Sequence, residues 1–376
     1  MKKLWISSLA LAAGLGIASL GLTSAAQAQV KLGMAGPVTG PSAATGAQMK
    51  NGVDQAVEDI NAAGGILGQR ITVSIGDDAS DPKQGVSVAN KMVGDGVKFI
   101  MGHYNSGVSI PASEVYQENG ILQITPASTN PRFTERNMWN VFRTCGRDDQ
   151  QGAVAAAHII GKLAGKKIAI VHDKTTYGKG LADETKKGMN AKGVTEVLYD
   201  GINTGEKDLS AVVTKIKQSS ADYVFFGGLY TEGGLLTRQM RDAGVNAVVI
   251  GGDGLFDPEF FAVGGAGVEG ALVTFGPDPV KNPAAAAVVK KLADKKVGSE
   301  SYTLYSYAAI QVIKQAAEQA KSLDPKKVAE TMRSGMTFDT VIGKFSYDAK
   351  GDRKDADYVV YVVKKGADGK MAFVQM

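Results

Sequence analysis

The sequence predicts an α/β fold built from two doubly wound, Rossmann-like units. Three observations support this prediction. Short apolar runs alternate with longer segments of helical periodicity, which is typical of parallel strands connected by helices. The alternation occurs in two consecutive series, each about the size of one doubly wound domain. Glycine supplies 47 of the 376 residues, as many tight turns between strands and helices would require.

The first series begins shortly after the N-terminal segment. Apolar residues spaced as on one face of a helix predict its first helix, and Asp81 followed by Pro82 marks the start of its second. The predicted strands cover 30–35, 71–75, 98–101 and 121–124, and the predicted helices cover 46–63, the segment from 82, and 108–117.

The second series begins near Asp148. Its predicted helices cover 149–164, 179–192, 208–219 and 232–243, and its predicted strands cover 167–172, 195–199, 222–226, 247–250 and 270–275. Further helices are predicted over 310–320 and 325–332. The tail, 341–375, is too short to form a domain, so we expect its two or three strands to complete the two sheets.

Residues 1–28 have the pattern of a secretory signal. Lys2 and Lys3 precede the apolar run 4–22, and the small-residue cleavage pattern AQA ends at Ala28. A membrane anchor is the alternative, but no basic cluster follows the apolar run. Cleavage would leave 348 residues and remove two lysines, which lowers the formal net charge from +4 to +2. We therefore expect an exported protein in the periplasm.

Composition excludes several classes of function. The single cysteine, Cys145, rules out an intramolecular disulfide and a cysteine-based zinc site, and the three histidines are scattered. No Lys/Arg-rich block is present, so we expect no nucleic acid partner. The motifs GxxxxGK[ST], GxSxG and HExxH are absent. The sequence therefore predicts a protein without metal, cofactor or catalytic residues, with an exported enzyme as the alternative.

Candidate binding residues follow the predicted strands, because ligands of parallel sheets bind at the carboxyl ends of the strands. The turns containing Asn105-Ser106 and Thr129 are rich in hydroxyl groups and carry no acidic residue. With helix-end N–H groups, Ser106 and Thr129 are suited to binding a carboxylate. The alternative is that each side chain only caps a helix.

A third turn offers a negatively charged side chain. Asp253 lies between two glycines after an apolar strand, where its carboxylate is suited to pairing with an ammonium group; the alternative is an Asp-Gly turn residue. Tyr104, Tyr177 and Tyr230 also follow strands and are candidates for the walls of a cleft. Packing in the core is the alternative for each of them.

Several long stretches, taken in order, resemble the Leu/Ile/Val-binding type of periplasmic binding protein, which are amino-acid receptors of ABC importers. The stretches are DINAAGGILG (59–68), DDASDPKQGVSVANKMVGDGVKFIMGH (77–103), PASEVYQENGILQITPAST (111–129), FRTCGRDDQQG (142–152), IAIVHDKTTYGKGLA (168–182), DGINTGEKDLS (200–210) and YDAKGD (347–352). The resemblance implies two lobes joined by three crossovers, near Arg147, Pro277 and Gly351. The expected first lobe comprises 29–147 and 278–351, and the second 148–277 and 352–376.

The resemblance also implies roles for individual residues. Ser106 and Thr129 match positions that bind the ligand α-carboxylate, and Ala127 matches a position whose carbonyl accepts from the ammonium group. Asp253 stands where leucine-binding members have Glu, and Tyr177 matches a tyrosine that faces the cleft.

Departures from the family pattern cluster on the same cleft. Tyr104 replaces a usual Leu, Thr45 stands where other members place a Tyr, and Leu229 replaces an aromatic residue beside Tyr230. A bulkier Tyr104 would shrink the side-chain pocket, and the shorter Asp253 would leave room at the ammonium end. We therefore expect a shift from strict Leu/Ile/Val preference, for example toward γ-aminobutyrate.

These features together predict a non-enzymatic solute receptor. It would close on a neutral zwitterionic amino acid, branched-chain or small and aliphatic, and deliver it to an ABC permease in the inner membrane. We expect the receptor to be a monomer. It would lack the disulfide of enteric members, whose positions correspond to Ser80 and Asn105. A sensor that presents the ligand to a chemoreceptor is the other binding class.

Overall fold

The computed structural model describes residues 29–355 and 357–376. The signal sequence predicted over 1–28 lies outside the described residues. Two sheets, each covered by helices, form the framework of two lobes.

The first sheet contains strands β1 to β5 and is flanked by helices α1 to α3. The strands are β1 Gln29–Gly36, β2 Arg70–Asp77, β3 Phe99–Gly102, β4 Leu122–Thr125 and β5 Val141–Arg143, and the helices are α1 Ala43–Ala62, α2 Pro82–Gly94 and α3 Ser106–Glu118. The strand order is β2-β1-β3-β4-β5, and every pair is parallel. The predicted elements of the first series are all present, whereas β5, only three residues long, was not predicted.

The start of α2 confirms the helix signal found in the sequence. Pro82 is the first helical residue, and the Asp81 carboxylate accepts a hydrogen bond from the backbone N–H of Gln84 at 2.8 Å. This bond satisfies one of the N–H groups that every helix start leaves without a partner in the helix.

The second sheet contains the strands of the second series and two strands from the tail. The elements are α4 Asp148–Lys162, β6 Ile168–His172, α5 Thr176–Asn190, β7 Leu198–Gly201, α6 Ser210–Ser219, β8 Tyr223–Gly227, α7 Tyr230–Asp242, β9 Val248–Gly251, α8 Glu259–Gly264 and β10 Leu272–Phe275. Strands β6 to β10 are parallel. All residues of β6 are buried, as in a strand covered by helices on both faces.

The last part of the chain returns to the first lobe and then joins the second sheet. Its elements are α9 Ala286–Asp294, α10 Ser301–Ala320, α11 Pro325–Arg333, β11 Phe338–Thr340, β12 Gly343–Phe345, β13 Val359–Lys365 and β14 Met371–Gln375. Antiparallel β13 and β14 extend the second sheet in the order β14-β13-β10-β9-β8-β6-β7.

Two predictions for this part of the chain were wrong. Helix α10 begins at Ser301 rather than at 310. The sequence analysis missed its first turns because they are buried on every side and so carry no amphipathic period. Strands β11 and β12 pair only with each other, as a hairpin beside α10, and do not complete the first sheet.

The chain passes between the two lobes three times: between β5 and β6, between β10 and α10, and between β12 and β13. Helix α10 packs along α1 and reaches β3 and β4, so it belongs to the first lobe. The architecture is that of two doubly wound α/β lobes. No helix in the described part of the chain is both long and apolar enough to cross a membrane.

Candidate functional site

The turns at the carboxyl ends of strands from both sheets meet in a cleft between the lobes. The first lobe contributes Tyr104, Asn105, Ser106 and Ala127, and the second contributes Tyr177, Leu229, Asp253 and Gly254. These side chains nearly fill the cleft. The space left has a volume of about 10 Å³, about enough for a single water molecule.

The lobes are in direct contact around this cleft. Hydrogen bonds cross from one lobe to the other between Gln48 Nε2 and Asp257 (2.9 Å), Thr45 Oγ1 and Asp257 (3.3 Å), Asn130 Nδ2 and the Thr176 carbonyl (2.9 Å), and Tyr230 Oη and the Pro41 carbonyl (3.0 Å). The structure therefore has the lobes closed, and a solute of amino-acid size can enter only when they separate.

The first lobe presents hydroxyl groups to the cleft. Ser106 is the first residue of α3, and its Oγ accepts from the Asn130 backbone N–H at 3.2 Å. Thr129 is buried, and its Oγ1 has no hydrogen-bond partner among the described residues. The N-caps of the two adjacent helices are Asn105 and Asn130. Ser106 and Thr129 therefore do not serve as helix caps, which was the alternative interpretation of both.

The second lobe presents a buried carboxylate. Asp253 Oδ1 accepts from Tyr177 Oη at 2.9 Å, and Oδ2 accepts from Tyr302 Oη at 3.0 Å. Burial raises the pKa of Asp253, and the hydrogen bonds from the two phenols and from Gln151 oppose that rise. The Asp253 carboxylate thus bonds to side chains at the cleft and not to the backbone of its own turn, and these hydrogen-bond partners are neutral.

Tyr302 was missed by the sequence analysis. It lies in the first turn of α10, a segment that the sequence pattern did not identify as helical, and it reaches Asp253 from the opposite lobe. No local signal in the sequence marks it, because its role depends on α10 returning to the first lobe.

Gly254 allows Tyr177 to reach Asp253. A Cβ on Gly254 would stand 2.8 Å from Tyr177 Cε1 and 2.6 Å from the Gly228 carbonyl oxygen. With glycine at this position, the backbone N–H of residue 254 donates to Tyr177 Oη at 2.8 Å. The same phenol can then donate to Asp253, so the glycine fixes the ring that holds the carboxylate.

Aromatic rings narrow the side-chain end of the cleft. Tyr104 is 5% exposed and meets Tyr302 edge to face, with ring centroids 5.5 Å apart. Leu229 also lines the cleft. Tyr230, by contrast, lies beside the cleft, where its hydroxyl contacts Pro41 of the opposite lobe. The structure thus brings together seven of the eight predicted site residues at the cleft or its edge and places Tyr230 in the interlobe contact.

A second buried carboxylate lies near Asp253. Asp148 is fully buried at the start of α4, its backbone N–H donates to the Thr129 carbonyl at 2.9 Å, and its carboxylate oxygens have no hydrogen-bond partner among the described residues. Burial and then the nearby charge of Asp253 raise its pKa. The sequence marked Asp148 only as the beginning of the second series.

A buried hydrogen-bonded group of side chains connects the two first-lobe turns that contain Ser106 and Thr129. His103 Nδ1 lies 2.6 Å from Asp78 Oδ2, and Nε2 lies 2.9 Å from Tyr116 Oη. The His103 carbonyl accepts from Thr125 Oγ1 at 2.6 Å, and Thr125 Oγ1 accepts from the Ser128 backbone N–H at 2.9 Å. His103 therefore connects the turn of Ser106 with the turn of Thr129.

Side chains suited to coordinating a metal ion are not grouped in the part of the chain that is described. No group of three or more His, Cys, Asp or Glu side chains is arranged to hold a metal ion within 29–355 and 357–376. Cys145 is buried and unbonded to another cysteine, and burial raises the pKa of its thiol to about 12.

Comparisons with known proteins agree with this geometry. The family described as Periplasmic binding protein matches residues 29–370. Leu/Ile/Val-binding protein homolog 1 of Brucella melitensis is 53% identical over 375 residues, which cover all of both chains. Homolog 2 of Brucella abortus is 52% identical over 93% of this chain and 94% of its own.

A solved structure shows the same architecture. The leucine-binding protein LivK from Thermotoga maritima superposes with a TM-score of 0.85 at 28% identity, covering 92% of this chain and 97% of its own. The family match spans nearly the whole described chain, and the relatives match along all or nearly all of their length. The chain therefore belongs to the periplasmic binding protein family.

Proposed function

We propose that this protein is a periplasmic solute receptor that binds a neutral zwitterionic amino acid between its lobes and presents it to an ABC permease. One observation carries the proposal: the buried Asp253 carboxylate has only neutral hydrogen-bond partners and faces the hydroxyl turns of the other lobe. A buried charge needs a partner, and the ammonium group of an amino acid would supply it.

The two ends of an amino acid find complementary groups on opposite lobes. The α-carboxylate would accept from Ser106, from the unpartnered Thr129 hydroxyl and from N–H groups at the start of α3. The ammonium group would pair with Asp253 and donate to the Ala127 carbonyl. Because these groups belong to different lobes, both ends are bound only when the lobes close, and closure follows from binding.

The walls of the cleft limit the ligand side chain. Tyr104, Tyr302 and Leu229 present ring and aliphatic surfaces, which favour a branched-chain or smaller aliphatic side chain over a charged one once the lobes have opened to admit the ligand. The names of the Brucella relatives and of the Thermotoga protein support leucine, isoleucine and valine as the first ligands to examine. Binding and release are the whole of the proposed activity, with no catalysis.

The remaining parts of the proposal concern location and organisation. The predicted signal over 1–28 would direct export, and the mature chain would act as a monomer, with 29–147 and 278–351 forming one lobe and 148–277 and 352–376 the other. Helix α10 packing on α1 and β13 joining the second sheet support this division.

Titration calorimetry on ligand-stripped protein tests the proposal. The panel contains leucine, isoleucine, valine, alanine and γ-aminobutyrate, with lysine and glutamate as charged controls. We expect one neutral amino acid to bind with 1:1 stoichiometry and the charged controls to bind more weakly. Binding of none of the amino acids, or tighter binding of a charged control, would contradict the proposal.

A further inference from the structure

The buried carboxylate of Asp148 is not used by the proposed function. Asp148 is the first residue of α4, is fully buried, and neither of its carboxylate oxygens has a hydrogen-bond partner among the described residues. An ionised carboxylate that is buried without donors is far more costly than a neutral carboxyl group. When the lobes are closed, Asp148 is therefore suited to holding a proton.

A second unused polar group lies beside Asp148. The Asp148 backbone N–H donates to the Thr129 carbonyl at 2.9 Å, and Thr129 is 1% exposed, with no partner for its Oγ1 among the described residues. Burial and the charge of Asp253 raise the pKa of Asp148, and the Thr129 hydroxyl is close enough to oppose that rise. Two polar side chains that are both buried and unused thus stand next to each other.

The hydroxyl group of Thr129 has one proton to donate and lone pairs that accept. If Asp148 is ionised, the Thr129 proton is drawn to that carboxylate, and the Thr129 lone pairs are left to face the ligand carboxylate, which they repel. If Asp148 is neutral, its O–H donates to Thr129 Oγ1, and the Thr129 proton is free for the ligand. The protonation of Asp148 thus decides which group receives the Thr129 hydrogen bond.

The two buried carboxylates near the cleft have unequal surroundings. Asp253 accepts from Tyr177 Oη at 2.9 Å and from Tyr302 Oη at 3.0 Å, and the ligand ammonium would add a positive charge. Asp148 has no such donor among the described residues. When two carboxylates interact in unequal surroundings, one stays ionised and the other holds the proton. Asp148 is the one whose surroundings favour the neutral form.

The other charged and titratable groups around Asp148 do not replace the missing donor. Arg143 of β5 favours the ionised form of Asp148, but its Nε is bound to Asp352 at 2.6 Å. Asp149, the next residue of α4, pairs with Arg147 at 2.8 Å. The remaining titratable groups close to Asp148 are uncharged at neutral pH and lie in α5 and in two of the connecting segments: Tyr177, Cys145 and Tyr358.

Opening of the lobes would let water reach Asp148. The hydrogen bond from Asn130 Nδ2 to the Thr176 carbonyl, at 2.9 Å, crosses between the lobes. Asn130 and Asp148 both lie against Gly180 of α5, where a Cβ would stand 2.5 Å from Asn130 Nδ2 and 3.9 Å from Asp148 Oδ2. Separation of the lobes breaks the Asn130 contact and hydrates the carboxylate, which then ionises at neutral pH.

We propose that Asp148 is a positioning residue for the ligand carboxylate: it takes up a proton from the solvent as the lobes close and donates it in a hydrogen bond to Thr129 Oγ1, so that the Thr129 hydroxyl donates to the ligand. This inference rests on the proposed function, because it needs a ligand carboxylate at Thr129. Amino-acid affinity should then fall toward high pH, where Asp148 resists protonation, as well as toward low pH, where Asp253 loses its charge.

Titration calorimetry of the mature chain with leucine counts the proton. Titrations in HEPES and in Tris at the same pH give different heats for each proton exchanged, because the two buffers differ in ionisation enthalpy. We expect the native chain to take up more protons per leucine than Asp148→Asn, by a difference that approaches one. The buffer supplies this proton, and no other bond is made or broken.

Two substitutions of Asp148 separate positioning from packing. The amide of Asp148→Asn donates to Thr129 without a proton from solvent, so leucine binding should persist and its fall toward high pH should disappear. Asp148→Leu offers no donor and should raise the leucine dissociation constant by about tenfold relative to Asp148→Asn. A role in packing alone would not separate the two variants in this way.

Asp149→Asn is the matched control, since Asp149 lies at the same end of α4 and pairs with Arg147. It should take up as many protons per leucine as the native chain. If Asp148→Asn fails to fold, infrared difference spectra of the native chain with and without leucine replace it, and they should gain the C=O band of a neutral carboxyl group. Equal proton uptake in the native chain and Asp148→Asn, or a spectrum without the new band, would overturn the role of Asp148.

The two proposals fail in distinguishable ways. If leucine binds with the same proton uptake in the native chain and in Asp148→Asn, the cleft function stands and the role of Asp148 falls. If no amino acid binds, the proposed function falls, and the role of Asp148 falls with it, since no ligand carboxylate reaches Thr129.

Discussion

Replacing Asp253 with asparagine removes a buried charge while keeping the size of the side chain. The amide oxygen can still accept from Tyr177, and the amide nitrogen can donate to the oxygen of Tyr302, so the hydrogen bonds at 2.9 and 3.0 Å can both be retained. The fold should therefore persist, and the substitution isolates the role of the carboxylate charge in ligand binding.

The expected loss of affinity follows from the burial of Asp253, which is 6% exposed. Removing one partner of a buried, hydrogen-bonded charge pair costs about 2–5 kcal/mol, which corresponds to roughly 30- to 5000-fold in the dissociation constant. An exposed ion pair would contribute far less, with a median of about 0–1 kcal/mol. The size of the effect thus reports whether the ligand ammonium lies in the desolvated cleft.

Titration calorimetry of Asp253→Asn with the amino acid that binds best to the native chain measures this loss. Asp294→Asn is the matched control, because Asp294 is exposed on α9 and pairs only with Lys290. The control should bind like the native protein. A change of less than threefold in Asp253→Asn, with the fold intact by circular dichroism, would refute the assignment of Asp253 to the ammonium group.

The pH dependence provides an independent check on the same carboxylate. Burial raises the pKa of Asp253, so the carboxylate takes up a proton at a pH where an ordinary aspartate, with a pKa of about 3.9, is still ionised. Amino-acid affinity should therefore fall as the pH decreases toward that raised pKa.

The stability of the ligand-free protein should change with pH in the opposite direction. The contribution of Asp253 to the free energy of unfolding is greatest at low pH and is lost as pH rises through its raised pKa. Asp148 titrates in the same direction, so the informative quantity is the difference between the native chain and Asp253→Asn.

Three further substitutions probe the ligand pocket and its support. Tyr104→Leu removes a ring from the side-chain end of the cleft, so the ratio of leucine to alanine affinity should rise by about tenfold or more; an unchanged ratio in calorimetry would show that Tyr104 does not set the size limit. Ser106→Ala removes a hydroxyl that we assign to the ligand carboxylate, and should raise the dissociation constant by roughly 10- to 150-fold; native affinity would refute that role. His103→Leu leaves the Asp78 carboxylate buried without its imidazole partner, so the free energy of unfolding should fall by about 3–5 kcal/mol in urea titrations. A loss below 1 kcal/mol would mean that the His103–Asp78 contact does not support the fold.

Local patterns were sufficient for most of the framework. The alternation of buried strands and amphipathic helices predicted both series, and the signal at Asp81 fixed the start of α2. The same patterns failed where burial surrounds an element on all sides, as in the first turns of α10, and where a strand has only three residues, as in β5. In those places periodicity disappears, because no solvent-exposed face remains to create it.

The residues of the candidate site also fall into two groups, those that local sequence patterns predicted and those that they did not. Residues in strand-end turns, such as Ser106 and Asp253, were found because parallel sheets place those turns at one edge. Tyr302 and Asp148 were not found, since their roles depend on elements that approach the cleft from distant parts of the chain.

The sequence by itself determined the two-lobe α/β class, the resemblance to the periplasmic binding proteins, and the turns that bring hydroxyl groups to the edge of one sheet and a carboxylate to the edge of the other. These features depend on local periodicity and on residue type. Only the tertiary structure decided that Tyr177 and Tyr302 hold the Asp253 carboxylate from opposite lobes, that Tyr230 contacts Pro41 instead of lining the cleft, and that Asp148 is buried beside Thr129. The physical reason is that such contacts join residues far apart in the chain, whose approach is set by packing between the lobes and not by neighbours in sequence.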